Sequence, residues 1–139
     1  MSTFNSHTVA ASTLRISLGI MYLAHSIVLK YFTFTLAGTA QYFQSIGLPS
    51  FTAYLVFAAE AIGGILLVLG IQTRLTALAL IPVLLGATWV HAANGWVFNA
   101  NGGGWEYPVF LVIVSVVTAL LAPTSSKSTI ARNANVVRA

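Results

Sequence analysis

The chain has 139 residues, 58% of them apolar and only 6% charged, with a mean hydropathy of +0.88. An ordinary soluble domain carries roughly 25% charged residues, so six Lys/Arg and two acidic residues cannot solvate its surface, and lipid must cover most of it. Zero cysteine excludes disulfides, thiolate nucleophiles, cysteine-ligated iron–sulfur clusters and covalent c-type haem.

Four apolar stretches predict four transmembrane helices in an all-α bundle: about 9–29, 51–69, 75–93 and 105–122. Each is near the roughly 20 residues that cross about 30 Å of hydrocarbon; Trp105 and Pro123 carry the last, shortest one to the interface, where tryptophan is favoured. The first stretch is not a cleavable signal, because no basic region precedes it and Arg15 lies inside it. Residues 1–123 thus read as one membrane domain, and 124–139 as a polar, disordered tail rich in Ser, Thr and Asn. In the first loop, Tyr42, Phe43 and Ile46 at helical spacing before Gly47-Leu48-Pro49 predict a short helix lying in the interface. The second loop, Asn94 to Trp105, contains three consecutive glycines and is either a mobile lid or a tight platform.

Basic residues set the orientation. Arg15, Arg74 and the tail charges Lys127, Arg132 and Arg138 fall on one side and only Lys30 on the other, which places both termini and the short turn on the cytoplasmic side of the membrane. The net charge of +4 therefore reads as topology and not as nucleic-acid binding.

Polar groups within a span normally face a partner or a cavity. In the first helix Arg15, Tyr22, Ser26 and Lys30 share about 80° of arc, with His25 to one side. In the second, Glu60 shares its face with Ala53 and Gly64, small residues that admit another helix. Counting depth from the helix ends predicts a buried Arg15–Glu60 ion pair, which either fixes helix register or moves protons. A second group, His25, Lys30, His91 and Glu106, falls at one depth in the outer half. Glu106 also suits a helix N-terminus, with Pro108 in the first turn. Two imidazoles from different helices can ligate b-type haem, although no helix carries an HxxxH or ExxH metal pair. Alternatively His, Lys and Glu bind and protonate a quinone head group, with Tyr22, Trp89, Trp96, Trp105 and Tyr107 as flat walls.

These features, in this order, resemble the DoxX family of small four-helix bacterial membrane proteins. The residues that carry the resemblance are Arg15 with Gly19, His25 to Lys30, Gly47-Leu48-Pro49, Glu60 with Gly63-Gly64, Gly70-x-x-Thr73-Arg74, His91, and Gly104-Trp105-Glu106-Tyr107-Pro108. The resemblance covers roughly Arg15 to Pro123. It implies association with quinone-linked oxidoreductase systems, including thiosulfate:quinone oxidoreductase, and with membrane complexes that recruit soluble redox enzymes. Two roles follow as expectations: a quinone-binding component using His25, Lys30, His91 and Glu106, or a non-catalytic anchor for a redox partner or homo-oligomer. A small transporter is the weakest reading, because no internal repeat is apparent.

Overall fold

The computed structural model describes residues 6–123, so the tail predicted from residue 124 lies outside the described residues. Within them every element is helical: α1 (Ser6–Leu23), continued without a break by a π-helical stretch (Ala24–Thr33), then α2 (Leu36–Ser45), α3 (Phe51–Leu69), α4 (Thr73–Ala79), α5 (Ile81–His91), a 3-10 turn (Ala92–Asn94) and α6 (Glu106–Leu121). Three continuous runs, Ser6–Thr33, Phe51–Leu69 and Thr73–Asn94, are long and apolar enough to cross a membrane, and α6 is a shorter apolar helix.

The surface is that of a lipid-embedded protein. Leu120 is 74% exposed, Phe32 72% and Leu75 67%, and contiguous exposed apolar surface on this scale is stable only against lipid. The buried positions combine a core of Leu18, Tyr22, Leu67, Leu80, Leu84 and Leu111 with many small or polar residues, among them Gly19, Ser26, Ala53, Glu60, Gly63, Gly64, Thr76, Ala77, Ser115, Thr118 and Ala119. Hydrophobic burial cannot drive helix association inside a bilayer, so close approach through small residues has to.

Packing forms a ring in which α1 lies on α3, α3 on α4, α4 and α5 on α6, and α6 back on α1, with α2 over α3 and the π-helical stretch. The tightest crossing is α1 on α3. A Cβ on Gly19 would stand 2.8 Å from the Gly64 carbonyl oxygen, and one on Gly64 would stand 3.0 Å from that of Gly19. This reciprocal approach fixes the register, setting Arg15 level with the last turn of α3 and Glu60 near the level of Leu23.

The third apolar stretch is two helices rather than one. Leu80 separates α4 from α5, and Pro82 sits at the start of α5, where its missing N–H is harmless. The Leu80 side chain fills the space over Gly63, where an added Cβ would meet it at 2.7 Å. At the other end of the bundle the π-helical stretch closes with Phe34 N–H donating to Leu29 O at 2.8 Å, an i to i−5 bond. Thr35 then turns the chain with φ 60 and ψ 153, its hydroxyl accepting from Gly38 N. That region is strained for a β-branched residue, and the cap it makes on α2 offsets part of the cost.

Candidate functional site

The buried ion pair is Lys30 with Glu60, not Arg15 with Glu60. Lys30 Nζ donates to Glu60 Oε2 at 2.6 Å, with side chains 17% and 7% exposed. Arg15 lies about two helical turns away, where Nη1 donates to Leu67 O and, at 2.8 Å, to Val68 O, with its guanidinium against Gly70. The reason is register. The Gly19–Gly64 crossing brings Arg15 to the end of α3, where the last carbonyls lack intrahelical partners and the helix dipole is negative. Depth counted from apolar boundaries placed Arg15 too deep, because it assumed level helix ends and left out the offset that the Gly19–Gly64 crossing imposes. The π-helical stretch rises less per residue than an α-helix, which keeps Lys30 low enough to reach down to Glu60 with its flexible stem.

The ion pair belongs to a polar row in the bundle interior. Ser26 is fully buried and donates to Tyr22 O at 2.9 Å. His25 Nδ1 lies 3.0 Å from Met21 O, and its imidazole is within electrostatic reach of Glu60. The Tyr22 hydroxyl is buried within reach of both Glu60 and Ser115. Ser115 and Thr118, both buried on α6, were overlooked in the sequence; two hydroxyls three residues apart in an otherwise apolar helix were the available signal.

The second cluster assembles around the loop between the 3-10 turn and α6. This loop is a platform rather than a lid, because it is bonded across itself: Trp105 N–H donates to Gly95 O and Glu106 N–H to Trp96 O, both at 3.1 Å. Asn94 Nδ2 donates to Gly102 O at 3.0 Å and Gly103 O at 2.9 Å. Gly104 is packed so closely on the Val97 carbonyl that a Cβ would fall 2.0 Å from its oxygen. Glu106 opens α6, as expected of a carboxylate at a helix N-terminus, and its Oε1 accepts from Phe98 N at 3.2 Å.

Two adjoining grooves flank this platform. One, about 570 Å³, is walled by Trp96, Phe98, Glu106, Tyr107, Phe110 and Ile113. The other, about 240 Å³, is bounded by His91, Phe98, Gly103, Tyr107 and Pro108. Phe98 and Tyr107 belong to both, and both are partly open. Of the residues expected here, His91, Glu106, Trp96 and Tyr107 line the grooves. His25 lies beside Tyr107, the rings stacked at 6.2 Å. Lys30 is committed to Glu60 instead, and Tyr22 is in the core. Trp105 packs edge-on against Trp96 at 4.4 Å and so supports that wall from behind, while Trp89 is 61% exposed on the lipid-facing surface. No group of three or more potential metal ligands occurs among the described residues.

Residues 10–93 match the DoxX family. The chain belongs to that family. It is also 40% identical over 116 residues to a Bacillus subtilis (strain 168) protein named "Putative oxidoreductase CatD", with 83% of this chain and 81% of that protein covered. No solved structure matches. The DoxX match contains Arg15, His25, Lys30, Glu60 and His91, while Glu106 and Tyr107 lie beyond the matched segment. The DoxX assignment and the apolar helices establish a multi-pass membrane protein.

Proposed function

We propose that this DoxX protein serves a quinone-linked oxidoreductase system, holding a quinone head group at the two grooves that meet at Phe98 and Tyr107. The observation that carries the reading is their composition: aromatic walls with a histidine in one groove and a carboxylate in the other, both grooves partly open. A quinone ring needs flat apolar walls and a hydrogen-bond donor for its carbonyl oxygen, and the His91 imidazole and Tyr107 hydroxyl are the donors available. Reduction to the hydroquinone takes two electrons, supplied by the partner oxidoreductase, and two protons, which His91 and Glu106 are placed to exchange. In this reading α6 is a fourth crossing, α2 lies in the outer interface, and both termini and the Arg74 turn face the cytoplasm of a bacterial inner membrane.

One observation favours a second reading, an anchor for a redox partner or a homo-oligomer. Lys30, Glu106 and His25 each have an internal partner, so three of the four expected outer ligands already do structural work. The test is protein purified gently from membranes, with an absorption spectrum and solvent extraction followed by mass spectrometry. Quinone that co-purifies with the wild type and is depleted in His91→Ala at normal abundance supports the quinone site. A Soret band replaces it with b-type haem, and an empty protein that brings down a redox enzyme establishes the anchor.

A further inference from the structure

The hydroxyls of this bundle fall into two classes. Ser26, Thr88 and Thr39 each donate to the carbonyl four residues earlier, at 2.8 to 2.9 Å, the usual fate of a hydroxyl inside a helix. Tyr22, Ser115 and Thr118 do not. They are 1%, 0% and 2% exposed, and among the described residues their hydroxyl oxygens make no well-formed hydrogen bond, Tyr22 and Ser115 lying near each other without one. Ser115 and Thr118 share one face of α6, opposite Tyr22 on α1. An unpaired buried hydroxyl costs about 1–3 kcal/mol, and water is the partner such groups hold.

We propose that Tyr22, Ser115 and Thr118 form a water-bridged seam between α1 and α6 that exchanges protons between Glu60 and the aqueous phase at the Arg15 end of the bundle. The depths fit. Tyr107 stacks against His25 at the groove end, and Thr118, eleven residues further along α6, lies about 16 Å nearer the Arg15 end. His25 and Tyr22 are each within electrostatic reach of Glu60, and Tyr22 is close to Ser115, with Thr118 one turn further along the same face of α6. The titratable groups facing Glu60 are Lys30, His25 and Tyr22, all from the first helix. Among its other neighbours, α2 offers only the half-exposed Tyr42, α4 only Arg74 at its start, and α6 only Glu106 and Tyr107 at the groove end.

The step is proton exchange alone. The Glu60 carboxyl O–H forms or breaks, and each intervening hydroxyl gives up one proton and receives another, so none is changed after a transfer. The inference rests on the proposed function only for the proton's destination, which is the quinone-binding groove.

Infrared spectroscopy of membranes containing the full chain, perfused between about pH 5 and about pH 9 and then with D2O, tests it. The carboxylic C=O band missing from Glu60→Gln identifies Glu60. In the wild type that band titrates and shifts promptly in D2O. In Ser115→Ala/Thr118→Val the shift slows by on the order of tenfold or more, whereas Ser115→Thr/Thr118→Ser keeps the wild-type rate, with abundance and quinone content equal in all three. Equal rates in the wild type and the apolar double variant overturn the proposal, as does a Glu60 carboxyl that never titrates in the folded protein. A wild type free of quinone but exchanging quickly at Glu60 removes the proposed function and leaves the seam. Bound quinone with a non-exchanging Glu60 does the reverse.

Discussion

Neutralising Glu60 alone and neutralising it together with Lys30 should have opposite effects on stability. Glu60→Leu leaves the Lys30 ammonium without its 2.6 Å partner, and at 17% side-chain exposure that charge is poorly hydrated. Breaking a buried pair from one side costs about 3–5 kcal/mol. Lys30→Met/Glu60→Leu removes both charges and both desolvation penalties, so it should recover most of that loss and can exceed the wild type by about 1–4 kcal/mol. The assay is reversible unfolding in mixed micelles, scored as a double-mutant cycle. The Lys30/Glu60 cycle should give a coupling of about 2 kcal/mol or more, since contacting charged residues couple by up to about 3 kcal/mol. Arg15 is bonded at Val68, eight residues along α3 from Glu60 and so about 12 Å away, where mutations normally add to within about 0.5 kcal/mol. A larger coupling for Arg15/Glu60 than for Lys30/Glu60 would refute both the register and the assignment of the pair.

Two further outcomes follow from the same geometry. Arg15→Met strips the end of α3 of its donor and should cost about 1.5–3 kcal/mol, as charged hydrogen bonds do, measured in the same unfolding assay without loss of groove binding. Gly104→Ala forces a Cβ to within 2.0 Å of the Val97 oxygen, so the platform must rearrange. Tryptophan fluorescence from the Trp96–Trp105 pair should change and quinone retention fall, whereas Gly86→Ala, with nothing within 4 Å of the added carbon, should leave both intact.

The apolar segments located the membrane-crossing helices well because lipid leaves little freedom: the second was expected at 51–69 and is Phe51–Leu69. The polar face of α1 was legible for the same reason, since Arg15, Tyr22, Ser26 and Lys30 stand out in an apolar run. Their partners were not. Partner choice depends on register, and register is set here by Gly19 on Gly64; the glycines were legible as a place for close approach, but not which of them meets which. The π-helical stretch was equally hidden, because nothing in AHSIVLKYFT separates it from α-helix by composition. At the groove, His91, Glu106, Trp96 and Tyr107 were legible as chemistry, but Asn94, which ties Gly102 and Gly103 into the platform, was not, because its role is to hold backbone.

The ten residues from Ala24 to Thr33 hold more than a wide turn. A π-helix is the less favoured winding of a chain that can also wind as α, and passing from one to the other slides the hydrogen-bond ladder by one step and rotates everything beyond it. Such a slide would swing Lys30 around the helix axis and out of line with Glu60. Keeping Lys30 on Glu60 therefore goes together with keeping the π winding, and Thr35, bent into a costly backbone angle, stands where that winding meets α2.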